Sequence, residues 1–169
     1  MQNEMQDTGT TGSQRAVREE RISWRRLVPV ALLAALLAAV ANTLVYFAAS
    51  GLGFIPQSVL LPSPRGEAPL TASLVATTSV MGTVGATIIF AIIGLFARRP
   101  VRLFRIVAAV ALVLSFVMPA TVPGVPVAMR LSLALMHVVA WAVIVGLLST
   151  LAGRAKPASA EGGRRGEGG

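Results

Sequence analysis

The residues with chemistry to offer in this chain of 169 are few and uncharged. His137 is its only histidine, and Asn42 stands one helical turn before Tyr46. Thr77 belongs to a run rich in hydroxyls, with Ser73, Thr78, Ser79, Thr83 and Thr87, and Ser115 stands four residues before Pro119. Histidine is the side chain most readily moved across neutral pH by its surroundings, so one reading is a small-ligand or proton site with His137 as the titrating group. The other reading is interhelical hydrogen bonding that locks a bundle, worth ~0.6 kcal/mol on average and up to ~2 per contact. A haem held by His137 and Met118 is a third option. The chain contains no cysteine, which excludes disulfides, thiolate metal sites and lipid attachment through sulfur. No metal cluster, glycine-rich phosphate loop, nucleophile–base pair or carboxylate dyad occurs in the apolar stretches. The expectation is therefore no catalytic residue, no metal site and no cofactor.

These residues lie in long apolar stretches that carry no Asp, Glu, Lys or Arg: approximately Leu27–Ala49, Leu70–Ala97, Ile106–Ala120 and Leu131–Ala152. About 20 apolar residues let a helix rising ~1.5 Å per residue cross ~30 Å of hydrocarbon. The expected fold is all-α, a four-helix transmembrane bundle over residues 23–152 with spans near 27–49, 70–97, 103–120 and 131–152. Counted from the outer end of each span, Asn42, Thr77, Ser115 and His137 all lie five to seven residues deep. That places them in one layer roughly 10 Å below the surface. In the first span Ala31, Ala35, Ala38, Asn42, Val45 and Ala49 recur at alternating spacings of four and three, a seam narrow enough for close helix approach. Leu32, Leu33, Leu36, Leu37 and Leu44 fall mostly on other faces. Ala108, Ala111 and Ser115 repeat the device in the third span, and Arg130, Ala134, His137 and Trp141 align in the fourth.

The net charge of +8 is unevenly distributed: 13 of the 15 basic residues precede the first span, separate the second from the third, or follow the fourth. Arg65 and Arg130 are the exceptions. The positive-inside rule places both termini in the cytoplasm and makes the basic balance an orientation signal, not a nucleic-acid footprint. The same arginines would attract anionic lipid at roughly 1 kcal/mol each. Arginine outnumbers lysine 14 to 1, with abundant alanine and glycine, in keeping with a GC-rich bacterial genome and hence a bacterial cytoplasmic membrane. The tails, residues 1–22 and 153–169, are polar or Gly/Arg/Glu-rich and are expected to be disordered. Residues 27–41 also resemble a signal peptide ending in Ala39-Val40-Ala41, whose cleavage would leave a chain starting at Asn42. Against cleavage, apolar character continues to Ala49, and Glu19 and Glu20 precede the run. The loop Ser50–Pro69, which holds Gly51, Gly53, Pro56, Pro62, Pro64 and Pro69, either covers the outer end of the bundle or forms a lid over a pocket.

The combination of Asn42-x3-Tyr46, Ser115-x3-Pro119 and Met136-His137 resembles an uncharacterised family of small four-helix bacterial membrane proteins, over roughly Leu27–Ala152. The resemblance implies the architecture and supplies no activity. The leading functional expectation is a non-enzymatic structural, accessory or partner-binding membrane protein, self-associating or joined to another membrane protein. The alternative is a small transporter or channel subunit with its path through the layer of Asn42, Thr77, Ser115 and His137.

Overall fold

The computed structural model describes residues 20–63 and 66–155. The outer parts of the expected disordered tails, residues 1–19 and 156–169, lie outside the described residues, as do Arg65 and the side chain of Met118. The chain is mostly helical: α1 (Trp24–Gly51), α2 (Ala72–Phe96), α3 (Pro100–Ser115), α4 (Val117–Thr121) and α5 (Val127–Leu147), the last running into a wider π turn at Leu148–Ala152. Two antiparallel ladders accompany them, β1 (Glu20–Ile22) with β4 (Gly153–Ala155), and β2 (Leu60–Ser63) with β3 (Gly66–Pro69). Four helical segments of 28, 25, 22 and 26 residues are long and apolar enough to span a bilayer, so this is a multi-pass membrane protein by length and composition.

Local chemistry sets the helix ends. Gly53 adopts φ +75°, which lets its N–H reach Ser50 O and the Phe54 N–H reach Ala49 O, closing α1 with a Schellman turn. Thr71 caps α2 by accepting from the Leu74 N–H. Pro100 opens α3 at a position where its missing N–H costs nothing. Pro119 also explains why the expected third span breaks at Phe116: a proline cannot donate to the carbonyl four residues earlier, here Ser115, and its ring crowds it.

Helix α1 is the spine. It packs along both α2 and α5, whereas α2 and α5 barely touch each other. Its buried residues are Leu27, Val30, Ala34, Ala38, Asn42, Tyr46 and Ala49. The expected seam is thus correct at Ala38, Asn42 and Ala49, but Ala34 replaces Ala31 and Ala35, which are only half-buried, because the burial spacing stays near four. Leu32, Leu33, Leu36, Leu37 and Leu44 are exposed, as lipid-facing residues are. Ala34 and Ala38 are fully buried, so the segment that a cut before Asn42 would remove is part of the core.

Two apolar clusters fill the bundle. At the end bearing the termini, Leu27, Ala38, Leu148 and Ala152 gather around Phe90 and Phe104, whose rings lie 4.7 Å apart. At the opposite end, Tyr46, Val75, Met129 and Met136 are joined by Ile55 and Leu61 from the long loop. That loop therefore covers the end of the bundle. Its prolines are compatible with a two-stranded hairpin, which has only edge strands.

The inner parts of both expected disordered tails are ordered. Glu20–Ile22 pairs with Gly153–Ala155, and the Ser23 N–H donates to Ala152 O at 2.9 Å, tying the first helix to the last. The close approach depends on Gly153, where a Cβ would sit 2.5 Å from a Val101 methyl and 2.7 Å from Ser149 O.

Candidate functional site

Between the two apolar clusters lies a polar layer carried by α1, α2 and α5. The Asn42 amide Nδ2 donates to Ser79 Oγ at 3.0 Å, and the Ser79 hydroxyl in turn donates to Val75 O at 2.8 Å. That leaves Asn42 Oδ1 buried with no partner, in a residue only 5% exposed. An orphan acceptor at this depth is costly, because hydrocarbon provides no water to satisfy it.

His137 sits on α5 with Nδ1 2.7 Å from Leu133 O. A carbonyl only accepts, so Nδ1 carries the hydrogen and donates, and in the neutral ring Nε2 is left as an acceptor on the far edge. The Phe116 ring stands edge-on to the imidazole at 6.5 Å between centroids.

Where α2 and α5 fail to meet, a cavity of about 260 Å³ opens, floored by Asn42 of α1. Thr78, Ser79 and Gly82 line its α2 side, and Met136, His137 and Ala140 its α5 side. Thr78 and Gly82 are exposed, so the cavity is a lateral cleft in the apolar surface of the bundle. It lies ~13–15 Å along the helices from the end opposite the termini, within the spanning region.

The structure brings only part of the expected layer together. Asn42 and His137 line the same cleft. Tyr46, one turn away, is buried and donates its hydroxyl to Leu70 O at 3.2 Å, joining α1 to the start of α2. Thr77 is exposed and lies outside the cleft: it has the expected depth, but it stands two residues, ~200° of helical rotation, from Ser79. Ser115 is half-buried, donates to Leu112 O in its own helix, and does not reach the cleft. Helix α3 joins the bundle through Pro100 and Phe104 near its other end, and Ala111 is exposed. On α5 the buried face carries Met129, Ser132, Met136 and Ile144, while His137 and Trp141 flank it half-buried.

Ser79 is the residue of the polar layer that depth alone would not select; its place beside Thr83 and Ala86 on one helix face is the signal in the sequence. Most other hydroxyls are satisfied within their own helix, as Thr83 is by Ser79 O and Thr87 by Thr83 O, both at 2.8 Å.

Arg130, an exception to the charge asymmetry, has a structural role. Its guanidinium donates to Val125 O, Ala120 O and Val122 O at 3.0, 3.0 and 3.2 Å, gathering the carbonyls of the turn between α4 and α5.

A model for a family of unknown function, DUF6069, matches residues 22–154. The chain belongs to this family. The DUF6069 region takes in every helix, the long loop and the close of the ladder between β1 and β4, so the whole described bundle is the family's unit. Asn42, Ser79 and His137 all fall within it. No curated protein and no solved structure matches the chain.

Proposed function

We propose that this DUF6069 protein is a non-enzymatic, multi-pass protein of the bacterial cytoplasmic membrane, and that it acts by binding a molecule in the cleft between α2 and α5. The observation that carries the reading is the cleft itself, an opening of about 260 Å³ in the lipid-facing surface lined by Thr78, Ser79, Gly82 and His137. A bundle that used this layer only to lock its helices would close the seam over it.

The packing favours binding over passage. Toward the terminal end, Phe90 and Phe104 are 0% and 1% exposed and Leu148 is fully buried, so apolar side chains fill the space that a transport path would need. The cytoplasmic placement of the termini is supported by the exposure of Arg25, Arg26, Arg98, Arg99, Arg102 and Arg105 at that end. Those arginines face the depth of lipid headgroups, where anionic lipid would gather.

The test is photocrosslinking in intact membranes, with benzoylphenylalanine at Thr78 beside the cleft or at Leu36 on the outward face of α1. A discrete adduct at Thr78 and diffuse lipid labelling at Leu36 is the expected result. The same labelling at both positions would remove the reason to call the cleft a binding site.

A further inference from the structure

The polar atoms around the cleft differ in what they offer a ligand. Asn42 Oδ1 is closed off behind the helix packing and takes no part. The Ser79 hydroxyl is engaged on both sides, accepting from Asn42 Nδ2 and donating to Val75 O. The Thr78 hydroxyl donates to Leu74 O at 2.8 Å, within its own helix. His137 is different. Its ring is half-buried, and Nδ1 is committed to Leu133 O at 2.7 Å. Nε2, on the opposite edge of the ring, has no partner and is not closed off as Asn42 Oδ1 is. An imidazole whose Nδ1 carries the hydrogen presents Nε2 as a lone-pair base. It is the one base in the cleft, and no charged side chain lines the wall.

The complement to such a base is a molecule that arrives uncharged and brings a proton. A preformed ion would lose its hydration without a counter-charge in the wall. An alcohol donates to Nε2 but stays a neutral donor. A carboxylic acid goes further, because imidazole is a stronger base than carboxylate. The acid O–H bond breaks, an Nε2–H bond forms, and the electron pair stays on the carboxylate. The pair is neutral overall, so it needs no further charge from the protein. A hydrogen bond with an ionised partner is also roughly twice as strong as one between neutral groups.

The remaining wall, including Leu70, Val75, Leu133 and Ile144, is hydrocarbon, which suits an alkyl chain. An apolar cavity of ~150 Å³ takes one benzene ring, so about 260 Å³ accommodates roughly ten non-hydrogen atoms. That is a carboxyl group and its first several methylenes, and the rest of a long chain leaves through the open side into lipid. We propose that the cleft binds a long-chain carboxylic acid, which enters from the bilayer in its neutral form and hands its proton to His137 Nε2, with its alkyl chain along Val75, Met136 and Ile144. The proposal rests on the reading of the cleft as a binding site and adds the group that recognises the ligand and the class it belongs to.

Because His137 is the only histidine, ¹⁵N-histidine labelling of the full chain, purified without a histidine tag, yields just two ring nitrogens. In phosphatidylcholine nanodiscs at fixed pH, hexadecanoic acid is expected to carry the Nε2 resonance from the unprotonated to the protonated range. Methyl hexadecanoate and hexadecanol are expected to leave it in the unprotonated range. Tritiated acid is expected to bind at least tenfold more tightly than the tritiated ester, which shares its skeleton and lacks the proton. Gly82→Leu, at a position where nothing lies within 4 Å of an added Cβ, fills the cleft without threatening the fold. It is expected to remove the Nε2 shift and to lower acid binding at least tenfold. His137→Gln keeps a hydrogen-bonding side chain without a base, and is expected to abolish the preference for acid over ester. An Nε2 unmoved by the acid, moved equally by the alcohol, or still protonated in folded Gly82→Leu would overturn the proposal. So would an acid preference that survives in His137→Gln. An unmoved Nε2 together with a discrete Thr78 photoadduct would leave the cleft a binding site of other chemistry. Loss of both would remove the site itself.

Discussion

Asn42 and Ser79 join α1 to α2 through a single 3.0 Å hydrogen bond, and the geometry of that bond leaves the other half of the Asn42 amide without a partner. One side chain thus locks two helices while its own carbonyl oxygen stays buried without a partner.

A double-mutant cycle of Asn42→Ala and Ser79→Ala measures the locking role. The expected coupling is about 0.6 kcal/mol and no more than ~2, the range for hydrogen bonds between membrane helices. Reversible unfolding in mixed micelles provides the measurement, and strictly additive effects would mean that the bond does not form.

Two glycines should respond in opposite ways. At Gly153 an added methyl meets the Ser149 carbonyl at 2.7 Å, and backbone cannot swing aside, so Gly153→Ala should cost about 1–3 kcal/mol and loosen the ladder between β1 and β4. At Gly82 there is open space, so Gly82→Ala should be neutral or stabilising by ~0.5–1 kcal/mol through helix propensity. Thermal unfolding of the two variants side by side decides the matter. Equal effects would contradict the packing described for Gly153.

Arg130 holds three carbonyls around the turn before α5, and it is half-buried, so its replacement should have a modest effect. Arg130→Leu is expected to destabilise by about 1 kcal/mol and to raise amide exchange in residues 120–127. Arg130→Lys should recover only part of the protection, since an ammonium cannot reproduce the planar fork. Complete recovery with lysine would mean that charge matters there and geometry does not.

The absence of native cysteine makes topology directly measurable. Single substitutions Gln57→Cys in the long loop and Ser159→Cys near the C-terminus should label with a membrane-impermeant maleimide from opposite sides. Gln57 should react in intact spheroplasts and Ser159 only after lysis. The reverse pattern would invert the orientation assigned from the arginines. Intact mass of the same preparations reads whether the chain begins before Asn42.

The number of spans and the residues that face lipid were legible because both follow from one-dimensional patterns. A charge-free run of about 20 residues needs no tertiary information, and neither does the outward placement of Leu32, Leu36 and Leu44. The site was legible only in part. Depth along a helix is a matter of counting, and Asn42 and His137, matched in depth, line one cleft. Rotation about the axis depends on which neighbour a helix packs against, and this separates Ser79 from Thr77 by two residues on the same element. Ser115 departs from the layer for a related reason: α3 is anchored at Phe104, close to the terminal end, and Pro119 breaks the helix just beyond Ser115. The ladder of Glu20–Ile22 with Gly153–Ala155 was hidden because each strand has only three residues and its partner lies far away in sequence.

The central claim is that a molecule occupies the cleft between α2 and α5. It is tested most directly by comparing the photoadduct at Thr78 in the wild-type background with that in Gly82→Leu, which adds a side chain to the cleft lining where there is open space, each shown to be folded by its unfolding transition. The account predicts that the discrete adduct falls at least tenfold in Gly82→Leu while labelling at Leu36 stays constant. An adduct of undiminished yield at Thr78 in the folded variant would contradict it.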